Sequence, residues 1–400
     1  MHFSMHEAGT PRFERRFFQI QENFVRGNPE LQNPMFFVAN TEERLANTHP
    51  LRAVQRRADE VLKQMGRSFD AAYSETGRPS IPPEQLLKAL LLQALYSIPS
   101  ERRLVDAINW NLLYRWFCDL DPDARVWDAT TFPKNRERFE RHGLVQKFFE
   151  QVVASALVEE YASNDHFTVD GTLLQSWASL KSFRPQDEPR DDPPAAGGSN
   201  PSVDFRGAKR TNETHQSTTD PEARLARKSN GTAALLCHSG HLLTENRHGL
   251  CLDIRIAAAD GHAERDLAEQ LLRRFRRRHR RKPKTLGGDR GYEAGEFLRR
   301  IEKQLHITPH VPISSERVTS PGPAGDARRR MLKRMKTAAY QRSQKRRKKV
   351  EQVFGWRKQP GGLRKVRHVG RWKIQQVAYL WAAAYNLLRL ANLEARGVAG

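Results

Sequence analysis

The sequence predicts an α/β protein: a mixed sheet flanked by helices, preceded by an all-helical region. Two observations carry this. Apolar residues recur at helical spacing through residues 51–161. Beyond residue 163, short apolar runs ending in Gly or Asp alternate with amphipathic stretches. The resulting order (strand, long loop, two strands, helix, strand, helix, strand, closing helix) suits a mixed sheet rather than a sandwich.

Residues 1–50 are polar and weakly patterned, and read as a loosely held arm. In the helical region, Pro82-Pro83 suits a first helical turn, and Leu86, Leu87, Leu90, Leu91 and Leu95 follow at helical spacing. Ser100 is placed to cap the next helix, whose apolar face is Leu104, Ile108, Leu112 and Leu113. Asp121-Pro122-Asp123 breaks the chain. Thr130 or Thr131 then caps a short helix carrying Lys134, Arg136, Arg138 and Arg141, and a further helix runs from about Leu144 to Tyr161. Two helices joined by a turn, the second arginine-rich, fit a helix-turn-helix DNA reader. They fit an ordinary bundle with a solvated basic face equally in kind.

His166–Asp170 reads as the first strand. Residues 184–230, polar and rich in Pro, Gly and acid over 184–201, read as a mobile insertion. Strands are expected at 233–238, 250–257, 284–288 and 307–311, and helices at 264–278 and 294–304. Trp372–Leu393 is an amphipathic closing helix with an apolar stripe suited to packing. The predicted organisation is an arm (1–50), a helical domain (51–161), a catalytic domain (162–358) and a C-terminal packing helix (359–400).

Net charge is +22, the isoelectric point is about 10.3 and mean hydropathy is −0.73. A field of that sign favours a polyanion as partner. Residues 328–349 hold twelve Lys or Arg and no acid, which suits tracking of a phosphate backbone. Cys118, Cys237 and Cys251 form no C-x-x-C pair, and an odd count argues against a disulfide framework. No run approaches the ~18 apolar residues of a membrane span, and Met1–Pro11 lacks the apolar core of a signal peptide. The expectation is a cytoplasmic, nucleoid-associated protein with no membrane partner.

Three acidic residues have distinctive settings. Asp170 ends an apolar run, Asp289 ends another in Gly287-Gly288-Asp289-Arg290-Gly291, and Glu351 sits in a very basic helix. Carboxylates at strand ends and on a helix can converge on two magnesium ions, which clamp the attacking and leaving oxygens of a phosphoryl displacement. A strand-end aspartate is also commonly a turn residue, and Glu351 has many basic neighbours to pair with. His238 and His241, three apart, read as ordinary polar or core histidines, as no further ligand lies at zinc spacing. His310 reads as structural, and Trp177 as core.

These motifs together resemble the DDE transposases of bacterial insertion sequences, in the large group often written as IS-five. The resemblance covers most of the chain. Pro82–Phe139 is similar to the family's N-terminal region, and Asp170-Gly171-Thr172 through Ser179 resembles its first aspartate motif. Asp220–Leu225 and Gly240–Leu250 resemble its middle segment, and Gly288-Asp289-Arg290-Gly291-Tyr292 its second aspartate motif. In the last motif Arg347, Glu351 and Lys358 stand in step, and Gln344 replaces the usual tyrosine. These spacings would bring the three onto one helix face.

The resemblance implies an RNase H-like catalytic fold with Asp170, Asp289 and Glu351 as catalytic and metal-ligating residues. It implies two Mg2+ ions, with Mn2+ able to substitute, and cleavage and strand transfer of double-stranded DNA at terminal inverted repeats and target. Synapsis of two ends implies at least a dimer. Arg347 and Lys358 would flank the phosphate, and Arg334, Arg346 and Lys348 would hold the DNA backbone. Two other activities fit the same residues: a metal-dependent nuclease that does not join strands, and a transposase-derived regulatory DNA-binding protein.

Overall fold

The structure, a computed structural model, describes residues 41–73, 80–186, 210–227, 232–261, 264–315, 321–358 and 363–397. The expected arm lies mostly outside the described residues. The helical region comprises α1 (Thr41–Arg44), α2 (Pro50–Gln64), α3 (Gly66–Asp70), α4 (Pro83–Leu95), α5 (Glu101–Trp110), α6 (Leu112–Phe117), α7 (Thr131–Arg141) and α8 (Leu144–Val158). Pro83 occupies the first turn of α4, where its missing N–H costs nothing. Ser100 Oγ accepts the Arg103 amide at 3.3 Å and caps α5. Thr130 precedes α7 without capping it through its side chain; Asp128 Oδ1 accepts the Thr130 amide instead.

The arginines of α7 have partners nearby. Arg136 ion-pairs with Glu101, Arg138 lies 4.2 Å from the Tyr73 ring centre, and Arg141 bonds Glu137 at 2.9 Å. This arrangement favours the bundle over a free recognition helix.

The sheet contains β1 (His166–Ser176), β4 (Arg224–Ala226), β5 (Leu235–Glu245), β6 (Cys251–Ala258), β7 (Thr285–Gly287), β8 (Thr308–His310) and β9 (Lys365–Val366), while β2 (Phe183–Pro185) and β3 (His215–Ser217) form a separate ribbon. β1 pairs antiparallel with β5, and β5 antiparallel with β6 and β4. β7 continues from the other edge of β1 in parallel, and β8 from β7. An antiparallel meander extended by parallel strands, with helices against it, is the expected RNase H-like architecture. The helices that follow β6 are α9 (Glu264–His279), α10 (Gly295–Lys303), α11 (Pro323–Met335), α12 (Ala338–Arg347), α13 (Lys349–Lys358) and α14 (Arg371–Glu394).

The expected insertion over 184–230 contains ordered pieces. β3 pairs with β2, β4 joins the main sheet through β5, and Asp220 is fully buried. Residues 187–209, the Pro- and Gly-rich core of that expectation, lie outside the described residues.

The expected boundary near residue 162 is not a packing boundary. One apolar core runs from Leu51 and Val54 through Phe148 and Val152 to Phe167, Leu243 and the closing helix. α14 is the reason: Ile374, Ala378, Trp381, Ala382 and Leu387 are buried on several of its faces, and it packs against α2, α4, α8 and β6. Its buried amides stand in for a neighbouring strand. Gln375 bonds Ile254 O at 3.0 Å and the Ile256 amide at 2.8 Å, and Asn386 bonds the Cys251 amide and carbonyl at 2.9 and 2.7 Å. The outer edge of β6 is thereby satisfied. Cys118, Cys237 and Cys251 are free and buried, as the cysteine pattern implied. Among the described residues no helix is long and apolar enough to cross a membrane.

Candidate active site

Parallel pairing of β1 with β7 sets the site. Thr168 faces Gly287, the last residue of β7; Asp170 follows two residues on within β1, and Asp289 two residues on in the turn that β7 leads into. Strands in register lie about 5 Å apart, which places both carboxylates on one local surface. Asp170 is half-buried within β1, and its Oδ1 accepts the Gly171 amide at 2.8 Å. Asp289 is exposed beyond β7, and its Oδ1 accepts the Gly291 amide at 2.8 Å, opening a short 3-10 turn over Arg290–Tyr292. Asp289 thus fills the turn-residue role that its position in the sequence allowed.

Burial, then the charge of Asp289, pushes the Asp170 carboxyl up to about 6; the Gly171 amide and Arg347 pull it back. Two carboxylates that repel one another are poised for a cation to relieve the repulsion.

A third acid joins them. Glu264 opens α9, and its carboxyl lies between the glycines flanking the two aspartates. A Cβ added at Gly171 would come 3.2 Å from Glu264 Oε1, and one at Gly291 would come 3.5 Å from Glu264 Oε2 and 3.0 Å from Asp289 Oδ1. Burial and Asp289 raise the Glu264 carboxyl. Sequence reasoning missed this residue. Its only signal was an acidic residue at the N-terminus of a helix, a common position for one.

Arg347 ends α12 close enough for its charge to act on Asp170, and its buried Nε has no hydrogen-bond partner. Gln344 donates to His310 O at 2.8 Å, so the residue in the tyrosine position ties α12 to the end of β8.

The expected single helix behind the last motif is divided. α12 ends at Arg347, Lys348 is a turn residue, and α13 carries Glu351. Glu351 is exposed, four residues beyond Arg347 and on the other side of that turn. Val350 and Val353 bury the opposite face of α13, and Trp356 packs on Trp381 and Tyr385. The structure thus brings Asp170, Asp289, Glu264 and Arg347 together and leaves Glu351 at the surface nearby. Among the described residues, no three His, Cys, Asp or Glu side chains are placed to hold one metal ion. The side chain of Lys358 lies outside the described residues.

Of the expected backbone-binding residues, Arg346 and Lys348 are exposed on the α12–α13 junction. Arg334 is tied to Glu302 at 2.9 Å and to Pro309 O at 3.2 Å, so it braces α11 against α10 and β8. His238 bonds Asp220 at 2.9 Å with both groups buried, in keeping with its structural reading. His310 is buried beside His166 and Tyr340. His241 is buried opposite Gly171 in the β1–β5 register, with Nδ1 unpartnered. Trp177 departs from its core reading: it is 53% exposed, with Lys365 and Arg367 over its ring.

Carboxylate oxygens are the donors hard divalent cations prefer, and the pair of Asp170 and Asp289 fits such an ion in donor chemistry. Two stretches of the chain match known families. Residues 39–138 match the family described as Transposase domain (DUF772). Residues 213–387, which take in Asp289 and Glu351, match the family described as Transposase DDE domain. Nothing among curated proteins or solved structures matches the chain.

Proposed function

The chain belongs to the DDE transposases of insertion sequences, enzymes that cleave DNA and transfer its strands, and from that premise we propose that Asp170, Asp289 and Glu351 are its catalytic carboxylates. The observation that carries the reading is that Asp170, within β1, lies close enough to Asp289, two residues past the paired strand β7, for the two charges to repel, with Arg347 acting on the same carboxyl. Members of this family work with divalent metal ions; we take the ions here to be two Mg2+, replaceable by Mn2+. When bound, such ions polarise the phosphate and make water or a 3′-hydroxyl a stronger nucleophile.

The protein's part is to hold and orient. Asp170, fixed by the Gly171 amide, and Asp289, fixed by the Gly291 amide, would hold the ions through their carboxylates. Arg347 forks onto the phosphate at the scissile bond. Glu351 approaches from α13 on DNA binding, through adjustment at Lys348. Arg346 and Lys348 track the backbone, as would Lys358. The helical region reads the terminal inverted repeats, and pairing of two ends makes the working unit at least a dimer.

Glu264 supports a second reading, in which it completes the acidic set in place of Glu351, because it already lies against Asp289 and Gly171. A donor-end cleavage and strand-transfer assay decides. Asp170→Ala, Asp289→Ala and Glu351→Ala should each lower cleavage by at least 100-fold and leave DNA binding intact, whereas Glu264→Gln should lower it less than ten-fold. The reverse ranking of Glu351 and Glu264 would assign the third position to Glu264. Cleavage without joining would make the protein a nuclease.

A further inference from the structure

β9 joins the far end of β1 in parallel, with Lys365 paired to Gln175 and Val366 to Ser176. Side chains alternate across a strand. Lys365, in step with Gln175, therefore stands on the face of β1 opposite Asp170, five residues or roughly 17 Å along the strand. Val366, on the carboxylate side, is buried, while Lys365 and Arg367 on either side of it are exposed.

The two cations share one aromatic ring. Lys365 Nζ lies 4.5 Å and the Arg367 guanidinium 5.3 Å from the ring centre of Trp177, directly after β1, within the range of attraction between a cation and a ring face. Arg367 also donates to Pro99 O. Both charged heads are thus held in place, and less freedom is lost when they meet a ligand. Among the described residues no carboxylate balances them. Glu222, which reaches this segment, is engaged by Arg371 at 2.7 Å, and Glu101 by Arg136. Like charges fixed side by side at a surface suit a phosphate backbone, whose condensed counterions are released on contact.

The sheet separates this pair from the carboxylates. A duplex lying over Asp170 and Asp289 stays on their face, so a backbone at Lys365 and Arg367 belongs to another duplex. We propose that Lys365 and Arg367, braced on Trp177, hold the phosphate backbone of a second DNA duplex on the face of β1 opposite the carboxylates. The inference rests on the chain acting on DNA, but not on which carboxylates hold metal, and its test is run in EDTA.

The full chain is titrated with a short labelled duplex of arbitrary sequence at low salt. Protein is kept well above the dissociation constant, so that the break point counts duplexes per chain. The expected count is two for the natural chain and one for the double variant Lys365→Gln, Arg367→Gln. Lys365→Arg, which keeps the charge, should still bind two. Both side chains are at the surface, so the double variant should melt as the natural chain does. If it does not fold, Lys365→Gln alone carries the test and should weaken the second binding event at least five-fold. One duplex per natural chain overturns the proposal, as do two duplexes on the folded double variant or an unweakened second event in Lys365→Gln. Either result leaves the proposed function standing, whereas a natural chain that binds no duplex at all would overturn both.

Discussion

Asp170 and Asp289, 119 residues apart in sequence, come side by side because Thr168 pairs in parallel with Gly287, Asp170 lying two residues on within β1 and Asp289 two residues past the end of β7. A one-residue slip would turn one of the two carboxylates to the opposite face of the sheet. The pairing is pinned on both sides. Thr168 Oγ1 accepts from the Asn246 amide nitrogen at 2.6 Å, and Thr285 Oγ1 bonds His166 Nδ1 at 2.8 Å.

Without a cation, the ionised Asp170 carboxylate is held at a cost that can be measured. Its folded carboxyl titrates near 6, above its ordinary value of 3.8. A raised carboxyl adds stability that is complete below pH 3.8 and lost as pH rises through 6, so at neutral pH the ionised form weakens the fold. Asp170→Asn should therefore stabilise the protein in EDTA at pH 7.5, by about 3 kcal/mol at most. The gain should vanish below pH 4. Equal melting temperatures for both proteins at pH 7.5 would count against a mutually repelling carboxylate pair.

Buried histidines act in the opposite direction. His166, His241 and His310 are at most 4% exposed, and burial lowers each to about 4 from an ordinary 6.5. A depressed histidine gives stability that is present above 6.5 and lost as pH falls through 4. Denaturant unfolding should show stability falling from pH 6.5 to 4, by on the order of 1–3 kcal/mol per histidine. The Asp170 effect offsets part of this loss, and Asp170→Asn should steepen it. A flat profile over that range would mean the rings are hydrated or paired in solution.

The basic surface is divided between structural and exposed cations. Arg330 and Arg334 bridge to Glu302, while Lys345, Arg346 and Lys348 are exposed. The triple variant Lys345→Ala, Arg346→Ala, Lys348→Ala should lower the slope of log affinity against log salt by about 2–3, roughly one for each phosphate left without its cation. Arg334→Ala should instead lower the melting temperature and leave that slope nearly unchanged. Fluorescence anisotropy at several salt concentrations reads both effects; an unchanged slope in the triple variant would move the DNA path elsewhere.

Periodicity placed most of the helices and the starts of five sheet strands within a few residues, because the apolar spacing of α4, α9 and α14 and the runs before Asp170 and Asp289 are local signals; β1 and β5 run six and seven residues past their expected ends. Three things were not local. β1 runs on to Ser176 because β5 extends the ladder past Gly171. β3 and β4 arise in polar sequence because Ser217, Asp220 and His238 form a buried hydrogen-bonded set around Ser176. The helical region merges with the catalytic fold because α14 is apolar on nearly every face, which its position in the sequence does not reveal. In the site, Asp170, Asp289 and Arg347 were legible from their motifs. Glu264 was not, since only the β1–β7 register shows that a helix start 25 residues before Asp289 folds back against it.

The central claim is that Asp170 and Asp289 grip cations jointly. Titration of the full chain with Mn2+, followed by electron paramagnetic resonance in the presence of duplex DNA, tests it most directly. Tight binding should weaken at least ten-fold in Asp170→Asn and equally in Asp289→Asn, and the double variant should be no worse than either single one. Undiminished binding in either single variant, or losses that simply add in the double, would contradict a shared site.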